Sequence, residues 1–159
     1  MIVVADAGPL HYLILIGAVD VLGPLYNRVV LPEAVAQELR YQRAPAAVRA
    51  WISSLPGWAE IRPDPYSDPS IEFLDPGERA AISLAVSLNA DRVLIGEWDG
   101  RAEAERRGLA VMGTLGVLAE AHLRRLLDFE GVLARLRQTN FYASDDLIKR
   151  VRQSLAEKA

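Results

Sequence analysis

A chain of 159 residues with 51 % apolar and 25 % charged side chains has the balance of one globular domain, long enough to bury a core without staples. The absence of cysteine excludes disulfides and thiolate metal sites, and a net charge of −3 excludes the strong basic excess of a non-specific DNA binder. The first residues carry no basic leader and Tyr12 to Ile16 is too short to span a bilayer, so a cytoplasmic protein with no membrane segment is expected.

Ile2 to Ala5 is a short apolar run rich in β-branched residues that ends at a polar residue, which predicts a buried parallel strand. Pro9 to Ile16 predicts a helix with proline in its first turn, followed by a short helical turn around Ala18 to Tyr26. Arg28 to Leu31 reads as a second strand closed by Pro32, which opens an amphipathic helix through about Arg43 with Val35 and Leu39 inward. Pro45 to Leu55 predicts another helix, and Gly57 to Arg62 a short strand. Residues 63–75, rich in Pro, Asp and Ser, predict a flexible loop. Beyond it come an apolar helix from Pro76 to Leu88, a strand from Arg92 to Ile95 and a charged, exposed helix from Asp99 to Arg107, ended by Gly108. A strand from Leu109 to Met112 and a helix from Thr114 to Arg125, with Thr114 as N-cap, follow. Helices over 129–138 and 144–157 complete the chain. Strands alternating with helices predict an α/β fold with a mostly parallel central sheet covered on both faces.

Ligands of such sheets bind beyond the carboxyl ends of the strands. Asp6 follows the first strand directly. Glu97 follows the strand Arg92–Ile95 after one glycine, with Asp99 two further on. Glu38 lies one and a half turns into the helix after the second strand, and Glu78 opens the helix at Pro76. Several carboxylates therefore converge on one rim. Two like charges 4 Å apart repel by roughly 4 kcal/mol at an effective dielectric of about 20. Such a cluster calls for a cation, and an all-oxygen set suits Mg²⁺ or Mn²⁺.

Each residue also has a plainer reading. Asp6 could cap the next helix, Glu38 could be a solvated helix residue, and Glu97 and Asp99 could serve the positive end of the following helix. Asp75-Pro76-Gly77-Glu78 has the pattern of a capping box. Asp64, Asp68, Glu72, Glu103 and Glu105 read as solvated charges, His11 as a hydrogen-bonded core residue, and Trp51 and Trp58 as core anchors. Trp98 reads as packing or, flanking the rim, as a surface on which a base stacks.

The order of motifs resembles the PIN-domain family, in the branch related to VapC-type toxins (DUF3368). The likeness is carried by Val-Val-Ala-Asp6-Ala-Gly-Pro-Leu, Val-Leu-Pro32-Glu-Ala-Val-Ala-Gln-Glu38-Leu, Leu-Asp-Pro-Gly-Glu78-Arg-Ala-Ala-Ile, Ala-Asp-Arg-Val-Leu-Ile-Gly-Glu97-Trp-Asp-Gly-Arg101 and Gly-Leu-Ala-Val-Met-Gly113-Thr-Leu-Gly-Val-Leu. It is strongest over residues 2–127, which leaves 128–159 as a helical C-terminal extension of a single domain. The resemblance implies a three-layer α/β/α sandwich and a metal-dependent ribonuclease with Asp6, Glu38, Glu78 and Glu97 as its catalytic acids. Metal ligation then falls to Asp6, Glu78 and Glu97, with Asp99 able to substitute, and Arg101 either contacts a substrate phosphate, neutralises the acids or forms a surface ion pair. It also implies a homodimer and a small antitoxin partner. Two positions depart from the family pattern: Ala7 stands where Ser or Thr is usual, and Gly96-Glu97 stands where an Asp pair is usual.

Three readings follow. The first is an endoribonuclease acting as the toxin half of a toxin–antitoxin pair. The second is a non-catalytic binding or regulatory module on the same fold, motivated by Ala7 and Gly96. The third, an aspartyl-phosphate phosphatase, is disfavoured because Gly8 stands where a second Asp is needed and no lysine follows a later strand. Phosphate-cradling GxGxxG and GxxxxGK[ST] motifs and the GxSxG elbow are missing.

Overall fold

Alternation along the first strand decides the layering. In β1 (Ile2–Ala5), Val3 and Ala5 enter one core and Val4 the other, and none of the three is exposed. The computed structural model describes residues 1–159. Its other strands are β2 (Arg28–Pro32), β3 (Ala59–Arg62), β4 (Arg92–Leu94) and β5 (Val111–Met112), paired all in parallel in the order β3-β2-β1-β4-β5. Val4 stands between Val30 and Val93, so the apolar run that opens the chain is the middle of the sheet.

The helices are α1 (Ala7–Leu15), α2 (Leu22–Tyr26), α3 (Glu33–Arg40), α4 (Ala46–Ser53), α5 (Pro76–Ser87), α6 (Trp98–Arg106), α7 (Thr114–Leu123), α8 (Phe129–Leu136) and α9 (Asp145–Lys158). On one face Val3, Ala5, Val29, Leu31 and Leu94 pack with side chains of α1, α4, α7, α8 and α9. On the other, Val4, Val30, Val93 and Ile95 pack with α5, Ala104 of α6 and the loop residues Ile71 and Leu74. The result is a three-layer α/β/α sandwich, with a sheet that is wholly parallel. No single helix is long and apolar enough to cross a membrane; α1 and the helical turns after it are apolar together but bend by 119°.

The short helical turn expected around Ala18 to Tyr26 is present, as a 3-10 turn at Val19–Val21 followed by α2. Several other local expectations are corrected. α3 stops at Arg40 because Tyr41 turns extended (φ −55°, ψ 135°), which lets the chain reach Pro45. Thr114 is not the cap of α7: Gly113 is, and Thr114 is the first helical residue and buried. The loop 63–75 is fastened rather than free. Ile71 and Leu74 plug the smaller core, and Asp64 Oδ1 accepts the Ala34 N–H at 3.0 Å, capping α3, whose own cap residue Pro32 has no side-chain acceptor. Glu103, expected in solvent, is buried, with Arg107 Nε at 3.0 Å and Arg106 also on its carboxylate. Arg107 in turn reaches Asp68 and Ser70, which ties α6 to the loop. Trp51 and Trp58 pack with ring centres 6.1 Å apart, Trp58 lying over Gly23.

Candidate active site

From β1 the chain winds outward through β2 and β3, then returns to build β4 and β5 on the other side. The reversal lies between β1 and β4, where a crevice opens at the strand ends. The Asp6 N–H donates to Leu94 O at 2.9 Å and so pins the two strand ends together. Asp6 then takes the extended conformation (φ −82°, ψ 167°) that precedes α1, but its side chain makes no capping hydrogen bond. Its carboxylate is left for the crevice. Glu97 likewise precedes α6 without a side-chain cap bond.

A cavity of about 500 Å³ occupies this crevice. Asp6, Glu38 and Glu97 line it, together with Asp75, Gly96 and Thr114. Glu78 lies behind it, buried, with Gly100 of α6 directly against its Oε2. At Gly77 a side chain would fall on Glu38 Oε1 and within 3.2 Å of Asp6 Oδ1, so the glycine lets α5 approach both carboxylates. Asp99, in the first turn of α6, is exposed and does not line the cavity. Arg101 forms no ion pair; its guanidinium lies over Gly113, next to Thr114.

The carboxylates act on one another. Asp6 is only 5 % exposed. Burial, reinforced by Asp75, Glu38 and Glu97 and partly opposed by the Ala7 backbone, pushes its pKa up to about 7. Burial and Asp75 raise Glu38. Burial, then the facing Asp75 carboxyl, then Asp6 and Glu97 hold Glu78 well above the ordinary range. Glu78 Oε2 is a buried acceptor with no hydrogen-bond partner.

Sequence reasoning missed part of this site. It read Asp75 as a helix cap only. Its Oδ1 does accept the Glu78 N–H at 2.8 Å, but the same carboxyl faces the cavity. It also missed the uncharged wall formed by Tyr12, Asn140, Phe141 and Tyr142, the last three from the linker between α8 and α9. Two adjacent aromatics in a short linker were the available signal, since such turns usually hold small polar residues. His11 is half-buried beside Tyr12, makes no hydrogen bond and stays outside the cavity. Trp98 does not pack: it is 82 % exposed.

The donors are all oxygen, Glu78 offers an unpartnered buried acceptor, and Asp6 is crowded by negative neighbours. These residues fit a hard divalent cation. No three of them stand ready-made in a coordinating group, so ligation requires side chains to rotate inward.

The structure is a parallel three-layer α/β/α sandwich with a carboxylate-lined crevice at its strand reversal. The chain belongs to the PIN-domain family: the family model described as "PIN domain" (DUF3368) matches residues 2–157, which takes in α8 and most of α9. PIN domains are typically nucleases that use divalent metal ions. The fold is similar to that of a PilT N-terminus domain protein from the hyperthermophilic archaeon Sulfolobus solfataricus P2, at a TM-score of 0.53 and 15 % identity, over 91 % of this chain and 100 % of that one. No curated protein matches the chain.

Proposed function

We infer that this protein is a Mg²⁺- or Mn²⁺-dependent endoribonuclease that hydrolyses RNA phosphodiesters in the acidic crevice. The observation that carries the reading is the buried, unpartnered Glu78 Oε2 beside a buried Asp6 that shares the crevice with Glu38, Asp75 and Glu97. A divalent cation bound there would neutralise the carboxylates and stabilise the charge that develops on a phosphodiester under attack. Asp6 and Glu97, from either side of the strand reversal, would be its direct ligands. Glu78 and Glu38 would hold it directly or through water and help orient the attacking water, Glu38 from the open side. Asp99, exposed in the first turn of α6, is not among the ligands in this reading. Arg101, free of an ion pair, is available to the substrate phosphate.

The motif likeness to VapC-type toxins supports the finer reading: a toxin acting in the cytoplasm, a homodimer, and a small antitoxin that holds it inactive. The test of the enzyme is cleavage of RNA with Mg²⁺ or Mn²⁺ by the wild type and Asp6→Asn. Equal cleavage by both, or cleavage without metal, removes the assignment.

A second reading is a non-catalytic RNA-binding or regulatory module. It is favoured by the absence of three carboxylates in a coordinating group and by Ala7 and Gly96. Calorimetric titration with Mn²⁺ decides: no binding at millimolar metal selects this reading.

A further inference from the structure

The linker between α8 and α9 supplies the part of the crevice wall that carries no charge. It is held in place from α1. The Tyr12 hydroxyl donates to Asn140 Oδ1 at 2.8 Å, and the Tyr12 and Phe141 rings meet edge-on with centres 5.0 Å apart. The Phe141 N–H donates to Thr139 Oγ1 at 3.1 Å. Tyr142 comes next in the chain and lines the same crevice, yet it is 85 % exposed and no other ring packs on it. A ring left in water on a fastened backbone, beside a crevice, offers an open face of the kind on which unpaired nucleobases stack. Stacking needs no negative or positive partner, so it suits a site whose other wall is acidic.

Tyr142 also borders a second groove, of about 290 Å³, between α8 and α9. Phe141 and Ile148 give this groove apolar floor, and Arg137 and Asp145 flank it. Arg137 is exposed and forms no ion pair; Glu130, the carboxylate that feels its charge, is bridged by Arg152, which leaves the Arg137 guanidinium open to a phosphate. Asp145 stands at the start of α9, where the helix end offsets its charge. The two depressions thus meet at Tyr142.

We propose that Tyr142 stacks a base of single-stranded RNA beside the scissile phosphate, and that Arg137 binds a phosphate further along the same strand. The proposal rests on the nuclease reading and adds to it the residues that seat the substrate. A duplex does not satisfy it, because paired bases keep their faces covered.

The test is steady-state cleavage of a short single-stranded RNA with Mn²⁺ by the wild type, Tyr142→Ala, Tyr142→Phe and Arg137→Gln. Tyr66→Ala serves as control, an equally exposed ring beside the far end of α5. Tyr142→Ala is expected to raise KM about tenfold or more with little change in kcat, and Tyr142→Phe to restore it. Arg137→Gln is expected to flatten the dependence of log K on log salt by about 0.7. Mn²⁺ affinity by calorimetry should be equal in all. A wild type that cleaves while Tyr142→Ala keeps the same KM overturns the proposal and leaves the nuclease reading standing. A wild type that neither binds nor cleaves RNA removes both. If Tyr142→Ala instead changes self-association by light scattering with KM unchanged, the ring belongs to a contact with a second copy and the proposal fails.

Discussion

The Glu78 carboxyl on α5 lies against the backbone of Gly100, at the one position where α6 has no side chain. A Cβ at Gly100 would meet Glu78 Oε2 and come within 3.1 Å of Ile95 Cγ2. Ile95 is fully buried and packed in the smaller core, and the Glu78 carboxyl can yield only by turning toward the crevice. Alanine should gain about 1 kcal/mol of helix propensity but lose about 1–3 kcal/mol to overpacking. Gly100→Ala is therefore expected to lower the melting temperature by a few degrees and to reduce RNA cleavage. In a double-mutant cycle with Glu78→Ala the two changes should couple by at least about 0.5 kcal/mol. Additive behaviour would show that the contact is not tight.

Stability should depend on pH through Asp6. Its pKa rises from 3.8 to about 7 on folding, chiefly by burial. The folded state then holds a proton that the unfolded state releases, so the contribution is full below about pH 4 and is lost as pH rises through 7. The rise sets a ceiling of roughly 4 kcal/mol. The metal-free protein is expected to melt lower at pH 8 than at pH 5, and Asp6→Asn to melt higher than the wild type at pH 8. Glu60 and Glu130, lowered by bonds to Arg28 and Arg152, shift in the opposite direction and add no loss as pH rises. Glu78 and Glu38, also raised chiefly by burial, act in the same direction as Asp6, and His11, lowered by burial, in the opposite one; the comparison with Asp6→Asn isolates the share of Asp6. Added Mn²⁺ should raise the melting temperature more at pH 8 than at pH 5, because ligation needs ionised carboxylates. Equal melting of the two proteins across the range contradicts this account.

Gly96 lines the crevice and a Cβ there meets nothing within 4 Å. Gly96→Asp should restore an acidic pair with Glu97 at no steric cost. Mn²⁺ affinity is expected to rise by about tenfold, since ligand charge count tunes such sites. The metal-free protein should lose some stability to like-charge repulsion. Titration calorimetry reads the first effect, and unchanged affinity means that position 96 does not reach the ion.

Asp75 carries two roles that two substitutions separate. Asparagine caps a helix about as well as aspartate, so Asp75→Asn should keep the bond to the Glu78 N–H. It removes a negative neighbour of Asp6, Glu38 and Glu78. The midpoint of the pH dependence above should shift down with little change in stability at pH 5. Asp75→Ala removes the cap as well and should cost about 1 kcal/mol. Identical melting of the two variants at pH 5 would mean that the cap contributes nothing.

The strands were legible because a parallel sheet buried on both faces demands uninterrupted apolar runs, and β1, β2 and β4 have them. The first polar residue after such a run stands at the strand end, which is why Asp6 and Glu97 were found. Asp75 was hidden by its own cap signature. The wall from Asn140 to Tyr142 was hidden because its nearness to Tyr12 is a tertiary fact, with no periodicity to announce it. Glu103 misled because every helix turn around it is charged; it is covered by Arg106 and Arg107 once Ala104 docks α6 on the smaller core and Arg107 ties it to Asp68 and Ser70. Thr114 misled in the same way: Gly113 already held the extended conformation a cap needs (φ −96°, ψ −177°), and the hydroxyl went inside.

Val4 pairs with Val30 early in the chain, but its other neighbour, Val93, arrives much later, and Tyr142 later still. A ribosome adds roughly 5–20 residues per second, and distant parallel pairings are slow to form. The emerging polypeptide therefore carries Asp6 for several seconds with no opposite bank to work against. Whatever the crevice does must wait until β4 has joined β1, and a chain cut off before Arg92 lacks the bank that carries Glu97.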